Sequence, residues 1–354
     1  MTPRSARRIV APGGGCEQGG RMDRRRGLRC AVGLIAGAAA SPVLQVLAQP
    51  REPLRRVGVL VFGGPTQFVG SERETLFKRG LREHGFVEGE NIAIEWRHAH
   101  SDEQRLQDAV TELLRLPVDL IVATSTLTCQ AAQRQTATVP IVITSTADPV
   151  GDGFALSLAR PGKNITGMST SAAETIQKSV ELLGLLDPRP RRIAVLANPL
   201  NRANAPQLES VRAAGRATGM AVVHVSASRK ADLPAAYETA ARERVGAILI
   251  FNDGLFYAER QALAQMGRRE RLPTMFGFRD GAEAGMLLSY GPNIAALFHR
   301  SASFVARILR GAAPGDLPFE QPTIFELVLN RDTARAIGVP LPQALLMRAD
   351  EVIE

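Results

Sequence analysis

The sequence predicts an α/β protein of two lobes, each a mainly parallel sheet flanked by helices. Short continuous apolar runs alternate with amphipathic segments of ten or more residues, the signature of βαβ units. About nine such runs exceed one comfortable sheet in a chain of 354 residues, so two lobes fit better. Between the two series lies Thr144 to Ser169, TSTADPVGDGFALSLARPGKNITGMS, which leaves an apolar run and carries two prolines and four glycines before Ser169. It reads as a strand end, a functional loop and the crossover into the second lobe.

The elements follow in order. Val57 to Phe62 is a short apolar run suited to a buried parallel strand. A helix starts at Ser71, with Glu74 completing a capping box, and stops at Gly85; Leu76, Phe77 and Leu81 are its apolar positions. Ile92 to Trp96 is the second strand. Ser101 and Gln104 predict another capping box, ahead of Leu106, Val110, Leu113 and Leu114 on one helical face. Asp119 to Ala123 is the third strand, a helix passes through Ala131, and Ile141 to Thr144 is the fourth strand. In the second half Ile176, Val180 and Leu183 face one way in a helix that ends before Pro188. Strands follow at Ile193 to Ala197, Val222 to Val225, Ala247 to Phe251, Thr274 to Phe276 and Met286 to Tyr290. Leu208 and Val211 mark one intervening helix, and Phe298, Val305, Ile308 and Leu309 line the inner face of a long final one.

Charge points away from nucleic acid. The chain has a formal net charge of +8, but residues 1–48 hold eight arginines against Glu17 and Asp23. The remainder carries 35 basic and 33 acidic residues, a net of +2. The basic leader has the order of a cleaved export signal. Arg24, Arg25, Arg26 and Arg29 precede the apolar run Ala31 to Ala40, then Ser41-Pro42 and Val46-Leu47-Ala48, with cleavage expected after Ala48 and Met22 as an alternative start. A membrane anchor is the competing reading, weakened by Pro42 and Gln45, which interrupt the apolar run. Cys16 and Cys30 belong to this leader, which leaves Cys129 alone and no internal disulfide to form.

Catalytic signatures are absent: no GxxxxGK[ST], no GxGxxG after the first strand, no GxSxG and no HExxH. His98 and His100 share a face of a strand without an evident third ligand, so neither a metal nor a cofactor is expected. Ligands of parallel sheets sit beyond the carboxyl ends of the strands, and the polar segments of this chain collect there. Thr66 closes the first strand's loop. Thr124, Ser125 and Thr126 end the third strand and open a helix, where hydroxyls and free N–H groups hold a carboxylate or simply cap. Thr146 and Asp148 follow the fourth strand. Asn198 and Asp253 end strands of the second lobe, and either acid is placed to take an ammonium or to cap a turn. Phe278 and Tyr290 are placed to stack on a ligand or to pack.

Five segments carry a family resemblance: GLREHGFVEGENIAIEWR (Gly80 to Arg97), ADPVGDGFALSLARPGKNITG (Ala147 to Gly167), FRDGAEAGMLLSYGPN (Phe278 to Asn293), DLPFEQPTIFELVLN (Asp316 to Asn330) and LLMRADEVIE (Leu345 to Glu354). Over residues 55–354 the chain resembles the ABC transporter substrate-binding proteins labelled as tryptophan/tyrosine transport components. The resemblance implies the type I periplasmic-binding fold, two lobes joined by three crossovers near Ile165 to Ser169, Leu287 to Tyr290 and Thr323 to Glu326. It divides the chain into a leader (1–48), a first lobe (55–166 plus 290–324) and a second lobe (167–289 plus 325–354). It implies a monomeric, non-enzymatic periplasmic receptor that closes on a small molecule, an amino acid or similar zwitterion, and delivers it to an ABC permease in the inner membrane. Relatives commonly carry a glycine and a proline after the third strand, where this chain has Thr124 to Cys129, a loop expected to touch the ligand. The competing functions are a small hydrolase or isomerase using the same cleft and the effector domain of a regulator.

Overall fold

The computed structural model describes residues 54–170, 172–186 and 192–354; the leader and its cleavage site lie outside the described residues. The first series runs β1 (Arg55–Val61), α1 (Glu72–Glu83), β2 (Ile92–His98), α2 (Glu103–Arg115), β3 (Leu120–Ala123), α3 (Thr126–Gln135), β4 (Ile141–Thr146) and β5 (Ile165–Ser169). These strands make one parallel sheet in the order β2-β1-β3-β4-β5. Its central strands are buried on both faces, which is why they read as unbroken apolar runs: Val57, Leu60, Ile121, Val122, Ile141 and Val142 have no exposed surface.

The chain then enters α4 (Ala172–Leu186), β6 (Arg192–Ala197), α5 (Asn204–Thr218), β7 (Ala221–Ser226), α6 (Leu233–Arg242) and β8 (Ala247–Ile250). Next come α7 (Gly254–Ala258), α8 (Arg260–Arg269), β9 (Thr274–Phe276), α9 (Arg279–Glu283) and β10 (Leu288–Pro292). Helix α10 (Ile294–Leu309) returns to the first sheet and packs on α1, β3, β4 and β5. The chain goes back once more for β11 (Phe325–Asn330), α11 (Arg331–Ile337), α12 (Gln343–Leu346) and β12 (Glu351–Ile353). The second sheet has the order β12-β11-β10-β9-β8-β6-β7 and is parallel except for β10 against β11. No described helix is long and apolar enough to cross a membrane.

The two-lobed α/β architecture is therefore present, with differences in detail. The first sheet keeps the chain to Ser169 and the second keeps it to Pro292. Nine strands were expected and twelve occur among the described residues, the additions being β5, β11 and β12. Ser71 caps α1, its side chain accepting from Glu74 N at 3.4 Å, but Glu74 reaches back to Gly70 N instead of closing the box on Ser71. Asp102, not Ser101, caps α2, accepting from Arg105 N at 2.8 Å, because Ser101 sits at φ 61°, outside capping geometry.

Most of the Thr144 to Ser169 stretch is a brace. Asp148 turns the chain by accepting from Val150 N and Gly151 N, Phe154 is fully buried, and Gly162 N donates to Gly315 O across the returning chain. Only its first residues approach the cavity described next.

Candidate functional site

The carboxyl ends of β1, β3 and β4 in the first sheet face those of β8 and β9 in the second across one cavity. Thr124, Ser125, Thr126, Thr146, Asp253 and Phe278 line it, as the sequence placed them. Four candidates do not. Thr66 is exposed in the loop after β1, and Asp148 is an exposed turn residue on a separate groove. Tyr290 stacks on Phe325 at 6.1 Å instead of on the cavity. Asn198 lies behind Asp253, donating Nδ2 to Asp253 Oδ1 at 3.1 Å.

Asp253 caps α7 and is 5 % exposed. Its Oδ1 accepts from Leu255 N at 2.9 Å as well as from Asn198, and its Oδ2 from Asn201 Nδ2 at 2.8 Å. Burial pushes its carboxyl above the usual range, while these donors pull it back. An ionised carboxylate offers about four acceptor positions, and the backbone N–H of Phe256 also acts on this one, so its own lobe already takes most of them.

Thr124, Thr126 and Thr146 of the first lobe are already committed as donors. Thr124 donates to Leu60 O at 2.8 Å and Thr146 to Asp152 Oδ2 at 2.9 Å. Thr126 Oγ1 stands 3.1 Å from Thr146 Oγ1, and since Thr146 has spent its one proton, Thr126 is the donor of that pair. What Thr124 and Thr126 retain for the cavity is lone pairs. Thr128 donates to Ser125 O at 2.9 Å, so of these five hydroxyls only Ser125 keeps a proton for a weaker contact, 3.3 Å to Thr128 Oγ1, or for a ligand.

The decisive donor is Arg73, which the sequence reading missed. It stands on the first turn of α1, 8 % exposed, and its guanidinium lies 4.0 Å from the Tyr257 ring centre, 4.8 Å from Phe68 and 5.6 Å from Phe298. Its Nη2 donates to Gln67 O at 3.1 Å, and among the described residues no carboxylate comes within salt-bridge distance of it. Burial draws its basicity down. The overlooked signal is spacing: Arg73 shares the apolar face with Phe77 and Leu81, four and eight residues on, where a charge needs a reason.

Tyr257 was missed as well. The short helix α7 carries it one turn beyond Asp253, and its hydroxyl donates to Asp280. Phe62, Phe68 and Phe278 complete the aromatic part of the lining. The two lobes touch here, with Gln67 Nε2 donating to Ala258 O at 2.7 Å. A Cβ on Gly254 would lie 3.1 Å from Ser125 Oγ and 3.2 Å from Phe62 Cβ, tighter than ordinary contact, so glycine is what lets these walls meet.

Residues 71–353 match the family described as ABC transporter substrate binding protein. A tyrosine-binding protein of Clostridioides difficile is 26 % identical over 263 residues, covering 74 % of this chain and 75 % of the relative. Among solved structures, a conserved domain protein of Vibrio cholerae superposes with a TM-score of 0.77 at 25 % identity, covering 84 % of this chain and 99 % of that one. An ABC domain from Streptococcus pneumonia in complex with L-Trp gives 0.76 at 22 % identity with the same coverage.

Proposed function

Because the chain belongs to the ABC transporter substrate binding protein family, and is thus a binding protein and not an enzyme, we propose that it is the receptor of an importer and closes on an aromatic amino acid. The observation that carries this reading is Arg73: its guanidinium is buried among aromatic rings with no carboxylate in salt-bridge distance, Asp280 acting on it only through its more distant charge, and a buried charge left without a paired partner costs at most about 3–5 kcal/mol. A ligand carboxylate placed in the cavity supplies that partner in bidentate form. The acceptor wall of Asp253, Thr124 and Thr126 suits an ammonium, and Phe62, Phe68, Tyr257 and Phe278 suit a ring. This reverses the expectation that Thr124 to Thr126 hold the carboxylate, because two of those three hydroxyls have no proton to give. Names of relatives that bind tyrosine or tryptophan agree with the aromatic assignment.

The lobes divide, on this reading, at the three crossings after Ser169, after Pro292 and before Phe325. The receptor works as a monomer in the periplasm, exported by its leader, and hands the ligand to an inner-membrane permease. Calorimetry of the mature chain against the twenty amino acids tests the proposal. Tyrosine, tryptophan or phenylalanine is expected to bind, and Arg73→Gln is expected to weaken that binding at least a hundredfold. A preferred ligand lacking a carboxylate, or an unchanged affinity in the variant, contradicts it.

A further inference from the structure

Behind the cavity wall lies a buried acid that the ligand does not touch. Asp152 is 3 % exposed, is absent from the cavity lining, and accepts from Thr146 Oγ1 at 2.9 Å; Thr146 in turn is 3.1 Å from Thr126 Oγ1. Thr126 and Thr146 both line the cavity, so a chain of hydroxyls connects the ligand space to this carboxyl. We infer that Asp152 is a positioning and specificity-determining residue: its ionisation state sets the direction of the Thr146–Thr126 hydrogen bonds and hence whether Thr126 offers the cavity a lone pair or a proton.

With Asp152 ionised, the carboxylate can only accept, Thr146 must donate to it, Thr126 must donate to Thr146, and lone pairs of Thr126 are left for a ligand. With Asp152 protonated, its own O–H can donate to Thr146, Thr146 to Thr126, and the Thr126 proton is released toward the ligand space. The first state suits an ammonium and the second opposes it. The groups that act on Asp152 are few. Asp148 on the same loop favours the neutral form, Arg202 from the loop after β6 favours the charged one, and the buried Cys129 thiol of α3 lies close by. Burial dominates and lifts the Asp152 carboxyl to about 6, which brings the reversal into an accessible pH range.

The inference rests on the proposed ammonium-bearing ligand for its consequence but not for its mechanism, and the test separates the two. In ligand-free protein labelled with carbon-13 at Asp and Thr, the Thr126 and Thr146 signals are expected to titrate with the midpoint of the Asp152 carboxyl, and to stay flat in Asp152→Asn. Thr signals that ignore the Asp152 titration overturn the relay whatever the ligand is. With L-tyrosine as probe, wild type is expected to bind roughly tenfold more weakly at pH 5 than at pH 7.5, one unit below the midpoint against well above it. The Asn variant is expected to bind equally at both. Equal wild-type affinities at the two pH values also overturn the inference. Failure of L-tyrosine to bind at either pH counts against the amino acid reading alone, since the labelled titration still decides the relay.

Discussion

At the scale of single residues the cavity is a set of polar groups with fixed roles, and two of them invite direct tests. Asp253 accepts hydrogen bonds from Asn198, Asn201 and Leu255 of its own lobe, so it is first a cap and, on the proposed reading, only then a ligand contact. Asp253→Asn is expected to cost stability as well as ligand binding, since an amide cannot accept from both Asn side chains and from Leu255 N. Loss of binding with an unchanged melting temperature would assign Asp253 to the ligand alone. Asp152 carries a stability signature of its own. Its folded carboxyl is lifted to about 6 against an ordinary 3.8, so the protonated form is the better folded one. Stability from this group is fully present below the ordinary value and is lost as pH rises through about 6; the difference is at most about 3 kcal/mol. Asp152→Asn, which mimics the neutral acid, is therefore expected to gain on wild type in thermal unfolding as pH rises from 4 to 7. A gap between the two that stays constant over that interval would contradict the shift.

At the scale of elements the seam between α1 and α10 in the first lobe is tightly packed. A Cβ on Gly80 would stand 2.6 Å from His299 O and 2.8 Å from Ala302 Cβ. Gly80→Ala gains helix propensity of about 1 kcal/mol but must push the helices apart, and overpacking of this kind costs about 1–3 kcal/mol. A lower denaturant midpoint is expected, and a higher one would show that the seam has slack. The elements that were legible in the sequence are those with long or clean patterns. β1, β3 and β8 read as apolar runs because both faces are covered, and α2 and α10 read by their spacing. β5, β11 and β12 escaped because none offers a clean apolar run: β5 contains Gly167 between the polar Thr166 and Ser169, β11 carries Glu326, and β12 is only Glu351–Ile353. The site was half legible for a related reason. Strand ends can be read locally, so Thr124 to Thr126, Thr146 and Asp253 were found, whereas Arg73 and Tyr257 reach the cavity from helices through tertiary packing. Asp148 misled because a turn acid and a ligand acid look alike until their hydrogen bonds are seen.

At the scale of the whole molecule the account requires the lobes to part and close. The cavity volume is about 60 Å³, several times the ~10–15 Å³ that one water needs and below the ~300–1,000 Å³ of ordinary ligand pockets, so an amino acid enters only when the walls separate. Closure is then favoured by whatever the ligand contacts on both sides. Gly254→Ala inserts a methyl where α7 meets Ser125 and Phe62, and is expected to lower affinity with little effect on unfolding. The central claim, that an aromatic amino acid is held between the two sheets with its carboxylate on Arg73, is tested most directly by a crystal structure of the mature chain grown with L-tyrosine. The account predicts the carboxylate paired with the Arg73 guanidinium, the ammonium on the side of Asp253 and Thr126, and the ring among Phe62, Phe68, Tyr257 and Phe278. A ligand bound outside this cavity, or one whose carboxylate faces away from Arg73, would contradict it.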